Sequence, residues 1–135
     1  MSPRVAWPLA ALLALCLVAF AACGRSERPT VTDWEPTWKT TTAAVPSLVA
    51  LGSPPDRAVC GHALGVLRSL QSDLFPTPDL AVDDAVREWV AIAEDAMFEC
   101  PPSSRDLPDL ATAYEELARL EAEVAAAIDV DVDAG

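Results

Sequence analysis

The sequence predicts an all-α fold, a small antiparallel three-helix bundle with one disulfide, preceded by a leader and a flexible linker. Three observations carry that expectation. Apolar residues recur at steps of three and four along three separate stretches. Each of those stretches opens on a hydroxyl or carboxyl side chain followed closely by proline and a further acid. No stretch alternates at period two for long enough to argue a strand.

The first helix is expected at about 54–74. Ser53-Pro54-Pro55-Asp56 opens it with a capping oxygen, proline in the first turn and an acid at the positive helix end. Cys60, Ala63, Leu67, Leu70 and Leu74 then mark one face. The second helix, about 79–99, opens on Thr77-Pro78-Asp79 and carries Val82, Val86, Trp89, Ala93, Ala96 and Cys100 in the same rhythm. Val90 and Met97 widen its stripe, as suits a central helix with a neighbour on either side. The third, about 107–128, opens on Asp106-Leu107-Pro108-Asp109 and offers Leu110, Ala113, Leu117, Leu120, Val124 and Ile128. Short connections at Phe75-Pro76-Thr77 and at 101–105 favour antiparallel neighbours, so the order is up-down-up. The acids of Asp129-Val130-Asp131-Val132-Asp133 oppose the dipole at a helix C-terminus, so 129–135 is expected to be a frayed acidic tail.

Residues 23–52 show no evident period and are rich in Thr and Pro, the composition of a tether. Trp34 and Trp38 interrupt that picture. They serve either as a recognition segment for a partner or the membrane interface, or as a strap that packs back on the helices.

The N-terminal stretch has a different grammar. Arg4 supplies a positive charge, Val5 to Phe20 is apolar apart from Pro8, and Ala21-Ala22 leads to Cys23. A charged start, a short apolar core and a small-residue exit are the parts of a secretory signal peptide, here residues 1–22. Phe20-Ala21-Ala22-Cys23 resembles the lipobox of bacterial lipoproteins, with Phe20 standing where Leu, Val or Ile is usual. The resemblance covers residues 1–24 only. It implies cleavage before Cys23 and acylation of its thiol. Lipidation at Cys23 would tether the chain to the extracytoplasmic face of the cell membrane. Because Gly24 is not Asp, the resemblance favours the outer membrane in a Gram-negative host. An uncleaved anchor helix or plain cleavage near Ala22 are the competing readings.

Once the leader is gone, 113 residues remain, enough for one small domain. Of the four cysteines, Cys16 leaves with the leader and Cys23 takes the lipid. Cys60 and Cys100 are left in a compartment that permits disulfides. A bridge between them closes a loop of some 40 residues, for which the chain-entropy treatment gives about 4 kcal/mol. Counted from the turn at Pro76, however, Cys60 and Cys100 are out of step by roughly 12 Å at helical rise. Either the second helix starts late, near Ala81, or the chain turns back after Met97.

Charge is uneven. Residues 24–52 are balanced, whereas residues 53–135 hold five basic against eighteen acidic groups, a net charge of −13. Such a surface repels nucleic acid, so none is expected as a partner.

The chain offers little chemistry. Asp129, Asp131 and Asp133 match three positions of a calcium loop, but Ala134 stands where glycine is required and no bidentate Glu follows. Cys60-Gly61-His62 lacks the further ligands that zinc needs. Glu94, Asp95 and Glu99, and likewise Glu115, Glu116 and Glu123, fall on polar helix faces. No phosphate-binding loop, serine elbow or metalloprotease motif is present. The expected function is therefore a membrane-tethered, non-enzymatic binding or accessory domain of the envelope, with no cofactor and no metal. It would meet an envelope protein partner. The alternative is an enzyme or enzyme subunit with a cryptic carboxylate site.

Overall fold

The computed structural model describes residues 27–100 and 107–133, and among them the chain is all-helical. The leader, Cys23 and the Asp106 cap lie outside the described residues. The helices are α1 (Val31–Ala43), the single turn α2 (Leu48–Leu51), α3 (Arg57–Leu70), α4 (Leu80–Phe98) and α5 (Leu107–Asp133). A 3-10 turn, Gln71–Asp73, continues α3.

The three expected helices are present, and their stripes face one another. Helix α4 is central, packing against both α3 and α5. It buries Val82, Ala85, Val86, Trp89, Val90, Ala93 and Met97. From α3 and the turn beyond it come Cys60, Ala63, Leu67 and Leu74, and from α5 come Leu110, Leu117, Leu120, Val124 and Ile128. Burial on this pattern is what stabilises each helix, since short helices are marginal alone.

The boundaries of the first two expected helices differ from the sequence expectation in three places. The cap of α3 is Asp56, not Ser53, with its carboxylate accepting from Ala58 N at 2.7 Å. The cap of α4 is Asp79, not Thr77, accepting from Ala81 N at 2.8 Å. In both cases the prolines precede the cap, and an acid two residues from a helical N–H outcompetes the more distant hydroxyl. The first helix also ends at Leu70 rather than near 74, tightening into the 3-10 turn before Phe75-Pro76. Proline disfavours helical geometry in the residue before it, which is one reason for that early ending.

The late start of α4 at Leu80 and its end at Phe98 resolve the register of the disulfide. Cys100 lies two residues past the helix, and the Cys60 and Cys100 Cα atoms are 5.9 Å apart in the bridge. The acidic segment after Ile128 is corrected as well, because α5 continues to Asp133. The dipole penalty on an exposed acid is only about 0.3–1 kcal/mol. Neither glycine nor proline stands between Ile128 and Asp133 to break the ladder.

The largest correction is at residues 31–43, placed in the flexible linker by their composition but forming α1 against the bundle. Thr30 caps it: Asp33 N donates to Thr30 Oγ1 at 3.2 Å, and that hydroxyl donates to Asp33 Oδ2 at 2.7 Å. Pro36 sits inside the helix, a place that costs about 3 kcal/mol. Thr40 and Thr41 hydroxyls donate back to the Pro36 and Thr37 carbonyls, both at 2.8 Å. Packing outweighs these local preferences. Val31, Trp34, Trp38 and Thr41 form one narrow stripe at helical spacing, with both indoles and Thr41 buried.

Candidate functional site

The sequence offers Trp34 and Trp38 as candidate interaction residues, and the fold places both indoles in the core, 2% and 6% exposed. They stack on each other at 5.6 Å between ring centroids and 11° between planes. Trp38 then meets Trp89 of α4 edge-on, at 5.1 Å and 69°. Their polar edges are answered inside the protein. Trp34 Nε1 donates to the Leu74 carbonyl at 2.8 Å, and Trp89 Nε1 donates to Glu121 Oε1 at 3.0 Å. The pair is therefore a strap contact, not an exposed recognition segment, because the groove beside α4 offers both apolar walls and a carbonyl acceptor. Glu121 is a partner that helical spacing alone did not single out.

At the end of the bundle where α1 and α4 begin, Arg28 closes a polar clamp. Its guanidinium donates to the Thr77 carbonyl at 2.9 Å and lies 3.5 Å from Asp83. Thr77 is fully buried, and its one hydroxyl proton has two acceptors in reach, Asp79 O at 2.7 Å and Asp83 Oδ1 at 2.5 Å. The Thr77 hydrogen bond, more than the Arg28 charge, holds the Asp83 carboxyl below its ordinary value, against an opposing push from burial. Arg87 also reaches Asp83, at 3.7 Å, while its guanidinium lies over the Phe75 ring at 4.4 Å. Leu80, the first residue of α4, is 69% exposed at this end.

The opposite end holds the disulfide, α2 and the start of α5. There the Tyr114 hydroxyl donates to the Pro46 carbonyl, pinning the α1–α2 connection to α5. Burial pushes the Tyr114 phenol up to about 12. Leu48, Val49 and Phe98 are exposed apolar residues of α2 and the α4 terminus. Between α1 and α3 runs an open groove of about 610 Å³, lined by Lys39, Thr40, Ala43, Ala44, His62 and Val66. Lys39 is paired with Glu35 at 2.6 Å.

The acids considered for chemistry do not converge. Glu116 and Glu123 are both bound by Arg119, at 2.6 and 2.9 Å, on the outer face of α5. Glu94 lies 3.9 Å from Arg68, and Asp95, Glu99 and Glu115 are exposed. Cys60 is in the disulfide, which separates it from any ligand role with His62. Among the described residues, no group of three or more His, Cys, Asp or Glu side chains is placed to hold a metal, and no helix is long and apolar enough to cross a membrane. Comparison with protein-family models, with curated proteins and with solved structures finds no match to this chain.

Proposed function

We propose that this chain is a lipid-anchored envelope protein whose helical bundle acts as a non-enzymatic binding or accessory domain on the extracytoplasmic face of the membrane. The observation that carries the reading is the pairing of two cysteine roles in one chain. Phe20-Ala21-Ala22-Cys23 ends a secretory leader as a lipobox does, and the two cysteines retained beside Cys23 are joined to each other. Structural disulfides persist in oxidising compartments, which is where such a leader would deliver the chain. Two or more acyl chains on one residue give stable attachment, since each buried methylene contributes about 0.8 kcal/mol. The acidic surface supports solubility beside the membrane and a protein partner in place of nucleic acid.

Mass spectrometry of the protein extracted from membranes tests this. The expected product starts at Cys23, carries acyl chains there, and has Cys60 and Cys100 oxidised. In a Cys23→Ala variant the protein should leave the membrane fraction. A chain retaining residues 1–22, with an unmodified Cys23 thiol, would overturn the proposal.

A further inference from the structure

A lipid on Cys23 and a flexible linker to residue 56 would let the bundle roam, because 33 residues reach about 115 Å at full stretch. The folded chain does not leave that length available. Helix α1 returns residues 31–43 to the bundle, and Arg28 is already bound to Thr77 and Asp83. Five links join Cys23 to Arg28, and they can reach at most about 18 Å. Helix α4 by itself spans about 28 Å. The tether is thus shorter than the body it holds.

From this we infer that α1 is a length-setting strap. It holds the end of the bundle formed by Arg28, Thr77 and Leu80 against the lipid headgroups, and it turns the α2 and Phe98 end away from them. The inference rests on acylation of Cys23. The occupant of the proximal surface is the bilayer that carries the anchor, and the length and end-point of the intervening chain identify it. The short tether, not the chemistry of that end, selects it, since the exposed apolar residues Leu48, Val49 and Phe98 lie at the other end. Leu80 is 69% exposed at the start of α4, and the cations Arg28 and Arg87, both reaching Asp83, belong to the same end. Asp73, Asp79, Asp84 and Asp129 belong to the same end, with Asp83 in its clamp. Their charge favours zwitterionic over anionic lipid and keeps the contact superficial. A partner protein would then bind the distal or lateral faces, close to the membrane.

The test uses the full acylated protein in phosphatidylcholine vesicles. With Cys60 and Cys100 joined and Cys23 acylated, a cysteine placed by Leu80→Cys or Val49→Cys is the one thiol available for a dye. Energy transfer to acceptor dyes on the headgroups should be several-fold greater from residue 80 than from residue 49. Two variants should abolish that difference. Inserting twenty Gly/Ser residues between Gly24 and Arg25 lengthens the tether by about 25 Å root-mean-square and leaves the fold alone. Trp34→Ala with Trp38→Ala releases the strap, with circular dichroism reporting that the bundle persists. Equal transfer from both positions in vesicle-bound, unlengthened protein would overturn the strap inference while leaving the anchor intact. Protein that fails to associate with vesicles would instead remove the anchor reading, and this inference with it.

Discussion

Helix α1 packs against α3 and α5 and reaches the central α4 through the Trp38–Trp89 contact, and α1 and α4 are held in very different ways. Helix α4 buries seven side chains distributed along its 19 residues. Helix α1 buries three in its 13, and two of those are tryptophans. Attachment spread over many positions makes α4 inseparable from the core. Attachment concentrated in two indoles, with Arg28 and Tyr114 pinning its two ends, makes α1 a strap whose hold rests on few side chains. The contrast predicts a bundle that is cooperative at its centre and opens first on the side that leads to Cys23.

Breaking the central helix should give the largest effect. Trp89 is fully buried, is the largest such side chain, and touches both the strap and α5 through Trp38 and Glu121. Trp89→Ala is expected to cost about 3–5 kcal/mol, a large share of the 5–15 kcal/mol of a typical domain. Urea unfolding should show a lowered midpoint, and hydrogen exchange should speed up in α1 and α4 together.

Trp34→Ala sharpens the contrast. It removes comparable apolar area and leaves the Leu74 carbonyl without its indole donor. The loss should appear locally. Amides of residues 31–43 should exchange rapidly while those of α4 stay protected, and global stability should fall by less than in Trp89→Ala. Equal exposure of both helices would show that strap and bundle unfold as one unit.

The same contrast explains what was legible beforehand. Helices α3 to α5 announce themselves through repeated Leu, Val and Ala at helical spacing, because broad burial leaves a broad pattern. Helix α1 hides its pattern. Val31, Trp34, Trp38 and Thr41 do follow steps of three, four and three. The stripe is one residue wide, though, and Pro36 and the run Thr40-Thr41-Thr42 speak against helix. Two tryptophans in a supposed tether were the signal, and they outweighed propensity once an apolar groove was present to receive them. The clamp at Arg28 was not legible at all. It joins residues 49 and 55 positions apart, a pairing that only the docking of α1 creates.

That clamp yields a pH-dependent version of the same comparison. Asp83 is held below the ordinary value of 3.8, chiefly by the Thr77 hydroxyl. A carboxyl lowered in the folded state contributes stability that is present above its unfolded value and lost as pH falls through the folded one. Asp83→Asn should therefore be less stable than the parent near neutral pH. The gap should narrow as pH drops through the acid range below about 4. Urea midpoints measured across that range check this, and a gap independent of pH would show that the carboxylate charge is not what ties α1 to α4. The effect should be smaller than either tryptophan change, since the Asp83 side chain retains 18% exposure.

The smallest effect is expected where the chain leaves the strap. Tyr114 of α5 holds the Pro46 carbonyl, which fixes the C-terminal side of α1 as Arg28 fixes its N-terminal side. Tyr114→Phe keeps the ring and removes one hydrogen bond, for a loss of about 0.5–1.5 kcal/mol. Because that bond lies at the opposite end from the clamp, the two losses should add when Tyr114→Phe is combined with Asp83→Asn. Coupling between them beyond about 0.5 kcal/mol in a double-mutant cycle would mean that α1 docks as a rigid unit, with either end able to peel the other. In the parent protein the phenol should resist ionisation up to about pH 12, where burial has placed it. An ultraviolet titration that finds an ordinary tyrosine would show that the connection between α1 and α2 stands open.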